Sequence, residues 1–494
     1  MKWKTKAAAA VTGAVLVAGA GGVFAGMSIK DTEEDPSRSA SNANNQVENI
    51  EQSEESSEAA EAGMEKIEQV YQMINEQYVE DVDEKQLLEG ALEGMVKELD
   101  DPHSAYMDQE TANEFSQSLE SSFEGIGAEV SMVDDIVTIV SPFRDSPAEE
   151  AGLQPNDQIL KVDGESTEGD SLNETVLKIR GEKGSNVTLT VQRGSSDPFE
   201  VEVERDEIPV ETVRSETIEE NGQTIGHLEL TSFSESTAEE FEEHLTKLEE
   251  EGMNGLIVDV RGNPGGFLNS VEDIGDLIIP GGEPVVQIED PNGETVRSIS
   301  KLDERKDYPI VGLIDEGSVS ASEILAAALK EAGGYDLVGE TTYGKGTVQQ
   351  SMQLGDGSEL KLSMFKWLTS DGNWINEEGV EPTIEVRQPE YFYSAVLAPE
   401  EELKQESVGE QVKIAQQMLE GLGHDPGRTD GYFDEQTAEA VASFQAAEED
   451  LDETGIIDEE TVSRLNQDLL ELIRDPENDK QLEKALEVVS EQTS

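Results

Sequence analysis

Cysteine is absent from all 494 residues, so no disulfide, thiolate metal site or cysteine nucleophile can be built. Basic residues are scarce: 34 Lys and Arg stand against 111 Asp and Glu, a formal net charge of −77. Nothing in such a chain offsets phosphate repulsion, which excludes nucleic acid as a partner. The four histidines, His103, His227, His244 and His424, show no ligand spacing, so neither a metal nor any other cofactor is expected. Aromatic residues make up 5% of the chain, and the acidity runs through every segment rather than gathering in one tail. This reads as a whole-surface adaptation to high salt, where screening removes self-repulsion; an alkaline outer milieu is the alternative.

Long apolar runs are missing too, with one exception at the N-terminus. Met1-Lys2-Trp3-Lys4-Thr5-Lys6 is basic, and the residues from Ala7 to Met27 are uncharged, small and apolar. At about 1.5 Å per residue that run can just cross a bilayer's hydrocarbon core. Residues 1–30 therefore read as a signal anchor or a cleaved signal peptide, with the remainder outside the cytoplasm. Residues 31–61, rich in Ser, Glu and Asn, suit a disordered acidic tether.

The length implies several domains. Residues 62–116 are helical by the spacing of Met64, Ile67, Val70, Met73 and Ile74 and of Leu87, Leu88, Leu92, Met95 and Leu99. That helical region runs into Leu99-Asp100-Asp101-Pro102-His103-Ser104-Ala105-Tyr106, a proline-marked break, and nothing ties His103 to a catalytic role. Short strands with two helices follow over 117–205. Residues 206–395 alternate strands and helices, residues 408–468 are helical around a glycine-rich turn, and residues 469–494 form an acidic helical tail.

Chemistry concentrates in 206–395. Tyr308-Pro309-Ile310-Val311-Gly312-Leu313-Ile314 is an apolar strand that delivers Gly317-Ser318-Val319-Ser320-Ala321-Ser322-Glu323 to the start of an alanine-rich helix. Backbone amides at such a turn are unpaired, so that of Ala321 can serve an oxyanion. Lys345 lies 25 residues beyond Ser320, and Gln349 four further. A lysine activates a serine only after its ammonium loses a proton, and bringing it from about 10.4 to neutrality requires roughly 4 kcal/mol from the site. Locally the same residues read otherwise: Ser320-x-x-Glu323 is a capping box, Lys345 a loop lysine, and Ser318 and Ser322 are equally eligible hydroxyls.

Asp259-Val260-Arg261-Gly262-Asn263-Pro264-Gly265-Gly266, Gly-Ser-x-Ser-Ala-Ser-Glu and Tyr-Gly-Lys-Gly-x-x-Gln taken together resemble the carboxy-terminal processing peptidases, family S41. The resemblance implies a crotonase-like α/β core and a serine endopeptidase with Ser320 as nucleophile, Lys345 as base and Gln349 orienting the lysine. It also implies oxyanion amides from Gly266, or less well Gly265, and Ala321, and it disfavours Ser318 and Ser322. The Leu-Asp-Asp-Pro-His-Ser-x-Tyr stretch looks like the same family.

Phe123-Glu124-Gly125-Ile126-Gly127-Ala128-Glu129-Val130 and three further segments, ending in Val176-Leu177-Lys178-Ile179-Arg180-Gly181, resemble a PDZ domain, a β-barrel-like module that binds peptide C-termini. Gly125, Ile126 and Gly127 match its carboxylate loop, and Arg180 ends the helix beside the groove. That arginine either attracts a substrate carboxylate or merely completes the helix dipole. Asp-Gly-x-Phe followed by Thr-x-x-Ala-Val-x-x-Phe-Gln, from Asp430 to Gln445, resembles a three-helix peptidoglycan-binding domain.

The expectation is therefore a multidomain α+β envelope protease acting on polypeptides with free C-termini. It is held by the membrane segment or by peptidoglycan and forms a homodimer through its N-terminal helices. A wall-bound adaptor that holds peptides without cleaving them is the competing reading.

Overall fold

A computed structural model describes residues 54–493, apart from 120–121, 134–135, 144–145, 195 and 449. The expected membrane segment, and most of the expected tether, lie outside the described residues. Among those described, no helix is long and apolar enough to cross a membrane. The chain divides into two compact units.

The smaller unit comprises residues 54–118 and 347–365. Helix α1 (Glu54–Gln77) begins inside the stretch that its composition reads as tether, since Glu and Ala there are strong helix formers. Helix α2 (Glu84–Lys97) starts where the Asp83 carboxylate accepts from the amides of Lys85 and Gln86. Met64, Ile67, Val70 and Met73 on α1 and Leu88 and Met95 on α2 are exposed. Strand β1 (Ala105–Met107) and helix α3 (Gln109–Leu119) follow. The chain returns as strand Thr347–Gln353, paired with strand Glu359–Leu368, which also takes β1 antiparallel with Ala105 opposite Lys361.

The larger unit starts with β2 (Ser122–Gly125), β3 (Ala128–Val133), β4 (Ile136–Pro142), α4 (Pro147–Glu150), β5 (Asp157–Val162), β6 (Glu165–Ser166), α5 (Leu172–Ile179), β7 (Asn186–Arg193), β8 (Phe199–Glu204) and β9 (Asp206–Pro209). The sheet order β3-β4-β5-β7-β8 encloses Ile139, Ile159, Val187, Leu189 and Val191.

A second sheet carries the remaining chemistry. Its strands are β10 (Val213–Glu220), β11 (Gln223–Leu230), β12 (Gly255–Asp259), β15 (Ile310–Ile314), β16 (Asp336–Gly339) and β19 (Ile384–Glu385), adjacent in that order. All neighbours after the β10–β11 hairpin are parallel. Every residue of Gly255-Leu-Ile-Val-Asp259 and Ile310-Val-Gly-Leu-Ile314 is buried, as strands covered on both faces require. Helices α6 (Thr237–Glu250), α7 (Leu268–Ile278) and α8 (Ala321–Ala327) provide the crossovers. Between them run β13 (Pro284–Glu289) and β14 (Thr295–Ile299); Thr347–Gln353 and Glu359–Leu368 are β17 and β18.

Three helices, α9 (Glu410–Gly421), α10 (Glu435–Ala447) and α11 (Glu459–Arg474), close on Met418, Leu419, Phe433, Val441, Phe444 and Leu465. The last helix, α12 (Lys480–Gln492), has a role the acidic tail does not announce. Leu482, Ala485, Leu486, Val488 and Val489 form one cluster with Ile225, Ile257, Val311, Leu313 and Val338 of β11, β12, β15 and β16. The chain thus leaves the sheet after β19, builds the three-helix module, and returns to cover the sheet. Gly255 admits this contact because a Cβ there would overlap the Val489 side chain.

Candidate active site

Strand β15 ends in a tight turn before α8, and Ser320 sits on it with φ +55° and ψ −109°. A side chain in that region is strained by about 1–3 kcal/mol, and it is held there by its surroundings. The Asp315 carboxylate accepts from the amides of Gly262 at 2.8 Å and Gly317 at 2.9 Å, tying this turn to the one after β12. The flanking hydroxyls join the same tie. Ser318 Oγ donates to the Val260 carbonyl and Ser322 Oγ to the Asn263 carbonyl, each at 2.8 Å, which commits both to structure.

The turn after β12 passes beside the serine, where a Cβ on Gly265 would lie 3.1 Å from that of Ser320. The Gly265 N–H donates to Asn263 Oδ1 at 2.8 Å, and the Gly265 carbonyl accepts from Phe233, so Gly265 is engaged in both directions. No acceptor among the described residues takes the amide of Gly266 or of Ala321. Gly266 has φ +151° and its Cα abuts the Phe233 backbone, where any Cβ would collide.

Lys345 is 1% exposed, so burial strips its ammonium of water. Its loop is clamped by two of the three tryptophans in the chain. Trp367 Nε1 donates to the Lys345 carbonyl at 2.6 Å and Trp374 Nε1 to the Gly346 carbonyl at 2.7 Å. Gly346 is required because a Cβ would lie 2.6 Å from Trp374 Nε1 and 2.8 Å from Asn376.

One residue joins the serine turn to the lysine loop, and its sequence context gave it only a capping role. The fully buried Glu323 carboxylate accepts through Oε2 from the amides of Ser320 at 2.8 Å and Lys345 at 2.9 Å. Through Oε1 it accepts from Thr342 Oγ1 and the Gly344 amide, both at 2.6 Å. Burial pushes the Glu323 pKa up, while these hydrogen bonds oppose the shift. The capping contact to the Ser320 amide therefore exists, but the carboxylate also bonds three groups some twenty residues away.

Gln349 belongs to the smaller unit, buried on β17, with Nε2 donating to Thr347 Oγ1 at 3.0 Å and Ser363 Oγ at 2.9 Å. In the β2–β3 region the Gly127 carbonyl accepts from Ser146 Oγ at 2.8 Å and from the Phe143 amide at 2.9 Å, and the Ile126 carbonyl from the Ala148 amide at 2.8 Å. Ile126 is buried in the local core. Gly125 lies against Phe123, and the Arg180 guanidinium covers that ring at 4.9 Å. Among the described residues no His, Asp or Glu cluster has the geometry of a metal site.

Four family models match the chain: peptidase family S41 over residues 224–386, a PDZ domain over 138–193, a peptidoglycan-binding domain over 408–465, and the N-terminal domain of the activating protease CtpB over 16–111. The chain is 50% identical over 417 residues to the carboxy-terminal processing protease CtpB of Bacillus subtilis, covering 84% of this chain and 87% of that one. It is 41% identical over 422 residues to CtpA of the same organism, covering 85% and 89%. Among solved structures, a photosystem II D1 C-terminal processing protease aligns with TM-score 0.40 at 26% identity, covering 64% of this chain and 88% of that one. Half of all aligned positions are thus shared with one protease across most of both chains, and the chain belongs to peptidase family S41, the carboxy-terminal processing serine proteases, with a PDZ and a peptidoglycan-binding domain in the same polypeptide.

Proposed function

We propose that this protease works outside the cytoplasm by a serine–lysine mechanism. A polypeptide C-terminus docks on the PDZ groove at Gly125, Ile126 and Gly127, with Arg180 beside it. The chain is then led to the peptidase core. Lys345, neutral in its pocket, takes the Ser320 proton, and the alkoxide attacks the scissile carbonyl. The resulting oxyanion is received by the amides of Gly266 and Ala321. The adduct collapses with cleavage of the C–N bond, the Lys345 ammonium giving its proton to the leaving amine; water activated by the lysine, neutral again, then hydrolyses the acyl-enzyme, and Gln349 orients the lysine without transferring protons.

The observation that carries this reading is the Glu323 carboxylate, which binds the Ser320 and Lys345 amides on one oxygen and so holds nucleophile and base loops in one fixed relation. The commitment of Ser318 and Ser322 to backbone carbonyls supports Ser320 as the reacting hydroxyl. Ser320→Ala and Lys345→Ala should each abolish cleavage of an unfolded polypeptide with a free apolar C-terminus, and full activity in either variant refutes the mechanism. Gln349→Ala should retain partial activity.

The peptidoglycan-binding domain supports placement in the envelope, and the basic-then-apolar residues 1–30 suit an anchor or a signal peptide. The exposed apolar side chains of α1 and α2 suit a homodimer. Sedimentation of the full chain should give twice the monomer mass and revert to monomer when Met64, Ile67, Val70 and Met73 are replaced by Ser.

A further inference from the structure

The C-terminal helix α12 meets the catalytic turns through one cation. Arg261 stands between β12 and the turn that carries Gly266, and its side chain is only 16% exposed. Nε donates to Asp259 Oδ1 at 2.9 Å and Nη2 to Asp259 Oδ2 at 2.6 Å. Nη1 donates to Asp479 Oδ1 at 3.0 Å and to Gln481 Oε1 at 3.1 Å, and Asp479 Oδ2 lies 2.9 Å from Nη2. Each N–H of the fork thus meets an acceptor, and both of those on Nη1 meet the start of α12. Beyond Arg261 the Gly262 amide is held by Asp315, and the Asn263 carbonyl accepts at 3.0 Å from the amide of Val319, the residue before Ser320. The turn is therefore fastened to the serine turn at its middle and, through Arg261, to α12 at its entrance.

Helix capping does not account for this contact. Asp479 Oδ1 accepts from the amides of Gln481 at 3.0 Å and Leu482 at 2.9 Å, and from Gln388 Nε2, just ahead of the three-helix module, at 2.6 Å. The second oxygen, Oδ2, takes no part in the cap and faces Arg261. Burial would raise the Asp479 carboxyl, but the Arg261 charge beside it holds it below its ordinary range. Nor does docking of the helix require an ion pair, since Leu482, Ala485, Leu486, Val488 and Val489 already bury against the sheet. A buried pair adds little net stability, because desolvation consumes most of what the attraction returns; its best-attested use is to fix one arrangement over others.

We propose that Asp479 and Gln481 are positioning residues of the protease: the start of α12 braces Arg261 and through it sets the entrance of the turn whose Gly266 amide receives the oxyanion. The C-terminal tail is then a working part of the peptidase as well as a cover for its sheet. The proposal rests on the reading of Gly266 as an oxyanion donor.

The test uses the full-length protein, an unfolded polypeptide substrate and a peptide aldehyde, whose adduct on Ser320 carries the oxyanion. Two substitutions separate brace from cap. Asp479→Asn keeps an equally good N-cap but loses the charge and turns an NH2 toward Arg261, whereas Asp479→Glu keeps the carboxylate and gives up the cap. The brace predicts that Asp479→Asn lowers kcat about 10-fold, the worth of one charge-assisted hydrogen bond, with KM and PDZ affinity for a C-terminal peptide unchanged. Affinity for the aldehyde should fall by the same factor, because the interaction is made in the transition state. Asp479→Glu should restore most of both. A cap alone predicts the reverse, full rate in Asp479→Asn and loss in Asp479→Glu, and that result overturns the brace. So does a fall in kcat at unchanged aldehyde affinity, which leaves the role of Gly266 intact. Wild-type kcat and aldehyde affinity in Gly266→Ala overturn the parent reading and the brace with it. Melting temperatures separate unfolding from mispositioning. If Asp479→Asn does not fold, Gln481→Met carries the test: it removes one acceptor from Nη1 at similar volume and should lower kcat and aldehyde affinity together by about 3-fold, and no change in either overturns the proposal.

Discussion

Glu323→Gln is the sharpest perturbation of the catalytic arrangement, because it changes one atom and no volume. The carboxylate meets four donors, and glutamine must turn an NH2 group toward one pair of them. On the Oε2 side both donors are backbone amides, of Ser320 and Lys345, which cannot reverse. On the Oε1 side the Thr342 hydroxyl can rotate, whereas the Gly344 amide at 2.6 Å cannot. Glutamine therefore turns its NH2 to that side, loses the Gly344 bond and sets two N–H groups against each other. A charge-assisted hydrogen bond is worth about 1.5–3 kcal/mol, and an unpaired buried N–H costs about 1–3 more. The expected penalty is thus roughly 3–5 kcal/mol, relieved in part by movement of residues 342–346 with the lysine among them. Misplacement of a reacting group by about 1 Å is enough for a 100-fold loss, so kcat/KM should fall at least about 100-fold. Steady-state cleavage of an unfolded substrate, run beside a thermal melt, reads both effects. A Glu323→Gln variant that cleaves at the wild-type rate would refute the claim that this carboxylate holds serine and lysine together.

Three further outcomes follow from the larger unit. His227 lies between Asp259, at 3.3 Å, and Glu216, at 3.1 Å; burial pulls its pKa down, but the two carboxylates win and raise it to about 9. Its folded pKa being above the unfolded value near 6.5, it contributes roughly 3 kcal/mol below that pH, lost as pH rises through about 9. Melting temperature should decline over that window, and His227→Gln should flatten the decline. Leu482→Ala removes a side chain buried against the sheet and should destabilise the peptidase core by about 2–4 kcal/mol in denaturant titrations, and deletion of residues 480–494 should leave it insoluble. Gly266→Ala forces a Cβ into the Phe233 backbone and should cut kcat by about 10²–10³, the worth of an oxyanion donor, with little change in PDZ binding of a C-terminal peptide.

The parts legible in the sequence are those whose chemistry is local. The alternating or continuous apolar runs marked β12 and β15, and the spacing of glycines around Ser320 and Lys345 marked turns. Glu323 was legible only as a cap, because a contact three residues away satisfies the pattern, whereas its bonds to Thr342, Gly344 and Lys345 depend on how β15 and β16 lie side by side. The tail helix α12 shows an apolar face at Leu482, Ala485, Leu486 and Val489, but helical periodicity names no partner. Its docking is fixed by groups remote in sequence: Arg261 bonds Asp259 and, through Nη1 at 3.0 Å, the N-cap carboxylate Asp479. The indole N–H groups of Trp367 and Trp374 clamp the lysine loop only because β18 returns beside it.

The central claim is that Ser320 alone, activated by Lys345, carries the acyl intermediate. Treating the full-length protein with a serine-directed acylating probe and mapping the adduct by peptide mass spectrometry tests it most directly. The account predicts a single adduct on Ser320 that disappears in Lys345→Ala, whereas an adduct on Ser318 or Ser322, or undiminished labelling without the lysine, would contradict it.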